Sequence, residues 1–90
     1  MKIEEVAHAL TSSLNREIIK LLCDQDMTAV EVFSRLGDSG PKYRQSVNKA
    51  LEKLKRYGLV RKYYDDARKN LYYGITKKRL ILNMDDMSIE

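Results

Sequence analysis

The chain has 90 residues, 43% hydrophobic and 33% charged, which allows one domain over residues 1–90 with a modest core and is too apolar for a disordered tail. No stretch nears the ~18 apolar residues of a membrane span, and one cysteine with one histidine makes neither an internal disulfide nor a soft-ligand metal cage. The formal charge of +4 hides an asymmetry. Residues 1–40 hold four bases against seven acids, residues 41–80 thirteen bases against three acids, and residues 81–90 three acids and no base, giving nets of −3, +10 and −3. A block of +10 over forty residues predicts attraction to a polyanion.

Residues 3–10 read as a first helix, with Ile3, Val6 and Leu10 three to four apart and Glu4 and Glu5 in the first turn, where the dipole favours them. These two acids also stand where a secretory signal needs an apolar run, so a small soluble cytoplasmic domain is expected. Thr11-Ser12-Ser13 breaks the pattern and supplies capping oxygens. Leu14, Ile18, Leu21 and Leu22 then predict a second helix over about 14–24 with a buried stripe. Asp26-Met27-Thr28 reads as a turn, and Thr28 and Glu31 stand at capping-box spacing ahead of a third helix over 29–36, stopped by Gly37.

Asp38-Ser39-Gly40-Pro41 punctuates again. Pro41 suits a first helical turn, and Tyr43, Val47, Ala50, Leu51 and Leu54 keep a helical spacing as far as Tyr57, so a fourth helix is expected over about 41–57. After Gly58 the period falls to about two. Residues 59–64 and 71–76 are rich in Val, Tyr, Ile and Thr and predict a β-hairpin whose tip, residues 65–70, holds turn formers and two bases. In residues 77–90, Leu80, Ile81, Met84 and Met87 form a helical stripe with Thr76 as cap. Lys77, Lys78 and Arg79 oppose that helix's dipole, and Leu80-Ile81-Leu82 also suits a strand. A C-terminal helix is the expectation.

The predicted fold is therefore mainly α with a β-hairpin (α+β): three to four helices, the last two forming a helix-turn-helix, then a two-stranded wing. That order suits duplex DNA. A helix is about 10–12 Å across and the major groove about 12 Å wide, so one helix fits if its inner face is apolar and its outer face carries hydrogen-bonding groups. The fourth helix meets both conditions. Lys42, Gln45, Asn48, Lys49, Glu52 and Arg56 collect opposite its apolar stripe at ~100° per residue. Its first turn, with Lys42, Arg44, Gln45 and Ser46, is expected to enter the groove first. Asn and Gln pair bidentately with adenine and Arg and Lys with guanine, which makes Arg44, Gln45, Asn48 and Lys49 candidate base readers. Lys53 and Arg56 are candidate phosphate contacts, with Glu52 further out toward the backbone. Arg61, Lys62, Arg68 and Lys69 would carry the wing along phosphates or into a minor groove.

Residues 9–76 resemble the winged helix-turn-helix transcription regulators of the ArsR/MarR kind. The resemblance rests on Ala9-Leu10 followed by Asn15-Arg16-Glu17-Ile18-Ile19-Lys20-Leu21-Leu22, then Val32-Phe33-Ser34-Arg35-Leu36-Gly37 and Ser46-Val47-Asn48-Lys49-Ala50-Leu51-Glu52-Lys53-Leu54. Gly58-Leu59-Val60 and Leu71-Tyr72-Tyr73 before Ile75-Thr76 complete it, and Leu54 to Val60 is its most specific part. It implies a homodimer on a two-fold-related duplex site and a role in transcription. Metal-sensing members carry paired cysteines near the third helix. Met27-Thr28-Ala29-Val30-Glu31-Val32 has none, so neither metal nor other cofactor is expected.

Cys23, beside Asp24 and Asp26, reads as a core or boundary cysteine rather than a redox switch, and His8 as an ordinary helix histidine. Tyr43, Tyr57, Tyr64 and Tyr73 are expected in the core or a dimer surface, and Tyr63 and Tyr72 to be the more exposed. No catalytic constellation of nucleophile, base and orienting acid stands out, so a binding protein is expected rather than an enzyme. The first helix (residues 3–10) and the tail (residues 80–87) carry apolar positions with little core left to cover, and form the expected dimer surface. The competing readings are a protein-interaction winged helix and a non-specific or RNA-binding basic module.

Overall fold

A computed structural model describes all 90 residues. Helices α1 (Ile3–Thr11), α2 (Ser13–Asp24), α3 (Ala29–Leu36) and α4 (Arg44–Arg56) precede an antiparallel ribbon of β1 (Val60–Asp65) and β2 (Asn70–Ile75). A second, shorter hairpin, β3 (Leu82–Asn83) and β4 (Ser88–Ile89), closes the chain.

Polar side chains set the helix ends. Ser12 Oγ accepts the Asn15 backbone N–H at 3.2 Å and so caps α2. Asn15 Nδ2 and Arg16 Nη1 reach back and donate to the Ala9 and Leu10 carbonyls at 3.0 and 2.7 Å. Two residues at the start of α2 thereby satisfy two of the orphan carbonyls of α1 and fix the corner between the helices. Thr28 and Glu31 form the expected capping box, with bonds of 3.0 and 3.1 Å. Gly37, at φ +56°, ends α3 in a conformation that favours glycine.

The core lies where α2, α3 and α4 meet. Ile18, Leu22, Val32, Val47, Leu51 and Leu54 are each at most 1% exposed, and α1 adds Val6 and Ala9. Leu59, Val60 and Tyr73 extend this cluster into the ribbon. Met27, in the segment read as a turn, is fully buried and exchanges backbone bonds of 3.0 and 2.7 Å with Tyr73, adding a one-residue third rung to the ribbon. Gly74 lets Asp26, beside that rung, lie close over the ribbon: a Cβ at Gly74 would come within 2.5 Å of Asp26 Oδ1. The layout is a winged helix-turn-helix, and no helix is long and apolar enough to cross a membrane.

Three expectations need correction. The fourth helix begins at Arg44 rather than near 41. Gly37–Ser39 forms a 3-10 turn locked by Ser39 Oγ on the Leu36 carbonyl at 2.7 Å. Gly40, extended ahead of Pro41, then packs so tightly that a Cβ there would meet Leu36 Cβ at 2.6 Å. Pro41, Lys42 and Tyr43 therefore lead into the helix instead of belonging to it.

The tail is a hairpin and not a helix: Ile81 and Glu90 exchange backbone bonds of 2.9 Å, Met87 turns at φ +57°, and Asp86 Oδ1 accepts the Ser88 N–H. Leu80 and Ile89 rest on the core, and no helical dipole forms for Lys77, Lys78 and Arg79 to oppose. The tyrosines also sort differently. Tyr72, expected to be exposed, is buried against Tyr63 (ring centroids 6.1 Å apart) and beneath the Arg68 guanidinium, whereas Tyr43 and Tyr64, expected in the core or a dimer surface, lie outside the core. Tyr64 lies near the hairpin tip, beyond the buried base of the ribbon, which explains its exposure.

Candidate nucleic-acid interface

Helix α4 divides as its sequence predicts. Val47, Leu51 and Leu54 are buried, while Arg44, Gln45, Ser46, Asn48, Lys49, Lys53 and Arg56 are all exposed. Asn48, Lys49, Glu52, Lys53 and Arg56 line a shallow strip along the outer face. Ahead of the helix, Lys42 joins Phe33, Tyr43, Arg44, Gln45 and Asn48 around a depression of about 380 Å³. A third hollow, about 350 Å³, opens between α4, the start of α3 and the ribbon, walled by Asn48, Glu52, Lys62 and Leu71 among others. Asn48 borders all three, and its side chain makes no intramolecular hydrogen bond.

The two ends of α4 differ. The last turn carries Lys53, Lys55 and Arg56, which suit the negative end of the dipole. The first turn has no acid and no side-chain cap, and Lys42 and Arg44 add positive charge to an end that is already positive. An incoming anion relieves both.

Strand alternation divides the wing cations between two faces. Lys62 points to the α4 side, where its Nζ donates to Glu52 Oε2 at 3.2 Å. Tyr73 OH donates to the same oxygen at 2.6 Å, and Lys55 Nζ reaches Oε1 at 3.5 Å. Arg61 points to the opposite face, where it and Tyr63 OH both donate to Asp26 Oδ2. Arg68 lies 5.0 Å over the Tyr72 ring and 3.8 Å from Asp65, whose other oxygen caps the turn at the Ala67 and Arg68 amides. Lys69, at the tip, has no acid within pairing distance, and the same holds for Lys42, Arg44, Lys49, Lys53 and Arg56.

Of the residues singled out from sequence, Asn48, Lys49, Lys53 and Arg56 share the outer strip of α4, Lys42, Arg44 and Gln45 surround the depression at its start, and Lys62 stands beside Glu52; Ser46 is exposed but borders neither hollow, and Arg61 stands behind the ribbon. Sequence reasoning missed the role of Glu52 as the joint between helix and wing, since nothing local signals a partner ten residues on. Tyr64 and Leu71 are exposed on the ribbon face that bears Lys62.

The joint responds to pH. The Tyr73 hydroxyl, opposed by burial and then assisted by Lys62, holds the Glu52 carboxyl below its ordinary 4.5. Burial first, then the Glu52 carboxylate, pushes the Tyr73 hydroxyl above its ordinary 10.0. A lowered acid contributes stability that is present above 4.5 and lost as pH falls through its folded value; a raised tyrosine contributes below 10.0 and loses it as pH rises through its folded value. Thermal melts followed by circular dichroism are expected to show a plateau between those limits with a fall at each end. Glu52→Gln should diminish the acid-side fall.

Compared with family models and with curated proteins, the chain matches none.

Proposed function

We propose that the chain is a sequence-specific duplex-DNA-binding regulator of transcription, with α4 in the major groove and the wing along the backbone or in the neighbouring minor groove. One observation carries the reading: α4 is fully buried on one side and on the other exposes unpaired Arg44, Gln45, Asn48 and Lys49 beside a ribbon that ends in the unpaired Lys69. These are side chains that read base edges, held on a rod of groove width. The uncapped, basic start of α4 adds a site for phosphate. A protein-docking winged helix would favour an apolar or acidic outer face, and this one is cationic and amide-bearing.

A single module of this size reads about half a site, so we propose a homodimer through residues 3–10 and 80–87. Val6 is taken up by the monomer's own core and Leu80 packs against that core, which leaves Leu10, Ile81, Leu82, Met84 and Met87 as the exposed apolar residues for that contact.

The test is selection of bound duplexes from a random pool, followed by a salt titration on the selected sequence. The four unpaired cations not assigned to base edges (Lys42, Lys53, Arg56 and Lys69) give an expected slope of log K against log salt of about −4 per protomer. Lys69→Ala should weaken binding evenly across sequences and reduce that slope by about one. A basic module without sequence preference would instead bind random and selected duplexes equally at fixed salt.

A further inference from the structure

We propose that Glu52 is a specificity residue that accepts a hydrogen bond from the exocyclic amino group of a cytosine in the major groove. The inference rests on the DNA reading above. Glu52 is the only acid on the outer strip of α4, one turn beyond Asn48 and flanked by Lys49, Lys53 and Arg56. A carboxylate there opposes the approach of phosphates, so a helix made only to grip a polyanion gains from its absence.

The geometry gives it another use. Its two oxygens are not equivalent. Oε2 takes two short bonds, from Tyr73 OH at 2.6 Å and Lys62 Nζ at 3.2 Å. Oε1 has only the long contact with Lys55 at 3.5 Å, a solvent-exposed lysine. One oxygen is anchored and the other remains open, on a side chain still 43% exposed. Tyr73 is buried and belongs to the core, so the anchor is rigid and the carboxylate is held in place before any partner arrives. Lys62 also offsets its charge, which lessens the repulsion from the backbone.

A carboxylate accepts and does not donate. Guanine's O6 and N7 and thymine's O4 are acceptors and repel it. Adenine offers its N6 amino group beside its own acceptor N7, whereas cytosine offers the N4 amino group with no acceptor on its own major-groove edge. Cytosine is therefore the base this group fits best.

The experiment uses the full chain. Duplexes are first selected with the wild type, and each enriched cytosine is then replaced in turn by N4-methylcytosine, which still pairs with guanine but blocks the groove-facing N–H. Affinity is expected to fall roughly tenfold at one position and little elsewhere. Glu52→Ala should then bind all four bases at that position about equally and lose sensitivity to the methyl group. Tyr73→Phe, which loosens the anchor and keeps the carboxylate, should retain cytosine as the favoured base.

A wild type that enriches a sequence, but with no cytosine sensitive to N4 methylation, overturns the inference and leaves the DNA reading intact. So does a Glu52→Ala variant that weakens every sequence equally and keeps the cytosine preference, since Glu52 would then only hold the wing. A wild type that enriches no sequence overturns the DNA reading itself, and the role of Glu52 with it.

Discussion

Leu51→Ala is expected to destabilise the domain by about 2–5 kcal/mol, measured as a shift in the urea unfolding midpoint. Leu51 is fully buried on the inner face of α4, in the cluster that includes Ile18, Leu22, Val32 and Leu54. Its truncation removes transfer free energy and leaves a cavity that a close-packed interior fills only in part. Domains of this size have about 5–15 kcal/mol in total, so the loss is a large fraction and also frees the helix proposed to enter the groove. Val30→Ala provides the contrast. Val30 is 54% exposed on α3, and its truncation is expected to change stability by no more than about 0.5 kcal/mol. Equal effects from the two substitutions would contradict the assignment of the inner face.

Asn48→Ala and Lys49→Ala are expected to act on binding instead. Each should cost about 1–3 kcal/mol on a selected duplex and relax the preference at particular base pairs. Both side chains are exposed and neither is engaged in an ion pair, so the unfolding midpoint should stay near that of the wild type. Fluorescence-anisotropy titrations against the selected duplex and single-base variants separate this from the uniform loss expected for Lys69→Ala. If all three substitutions weakened every sequence by one factor, the groove-facing role of Asn48 and Lys49 would be wrong.

What could be read from the sequence was mostly periodic or local. Leu14, Ile18, Leu21 and Leu22 give α2 from spacing alone, and the Thr28–Glu31 box and Gly37 bracket α3 to the residue. The two-faced character of α4 follows from the same counting. Features set by tertiary contact were harder to read. Pro41 is compatible with a first helical turn, but the close approach of Gly40 to Leu36 decides where α4 starts, and no local pattern encodes that approach. The tail has a helical stripe in Leu80, Ile81, Met84 and Met87, yet pairing between Ile81 and Glu90 and docking of Leu80 and Ile89 hold it as a hairpin.

The candidate interface shows the same division. Charge and amide content point to the outer face of α4, because each residue's face follows from its position in a helix. The fate of two wing cations depends on acids in other elements: Asp26 takes Arg61 from thirty-five residues earlier, and Glu52 takes Lys62 from ten; Arg68 meets the nearby Asp65. A count of positive charge therefore overstates what the wing has free, and Lys69 alone of its four candidates is unpaired.

Mapping the backbone amide shifts of the labelled protein on titration with its selected duplex, alongside a scrambled duplex of equal length, bears most directly on whether the outer side of α4 reads bases. Gln45, Asn48 and Lys49 should shift strongly with the selected duplex and much less with the scrambled one, while Lys69 shifts with both. Shifts confined to α1 and the C-terminal hairpin, or identical for the two duplexes along α4, would contradict that role.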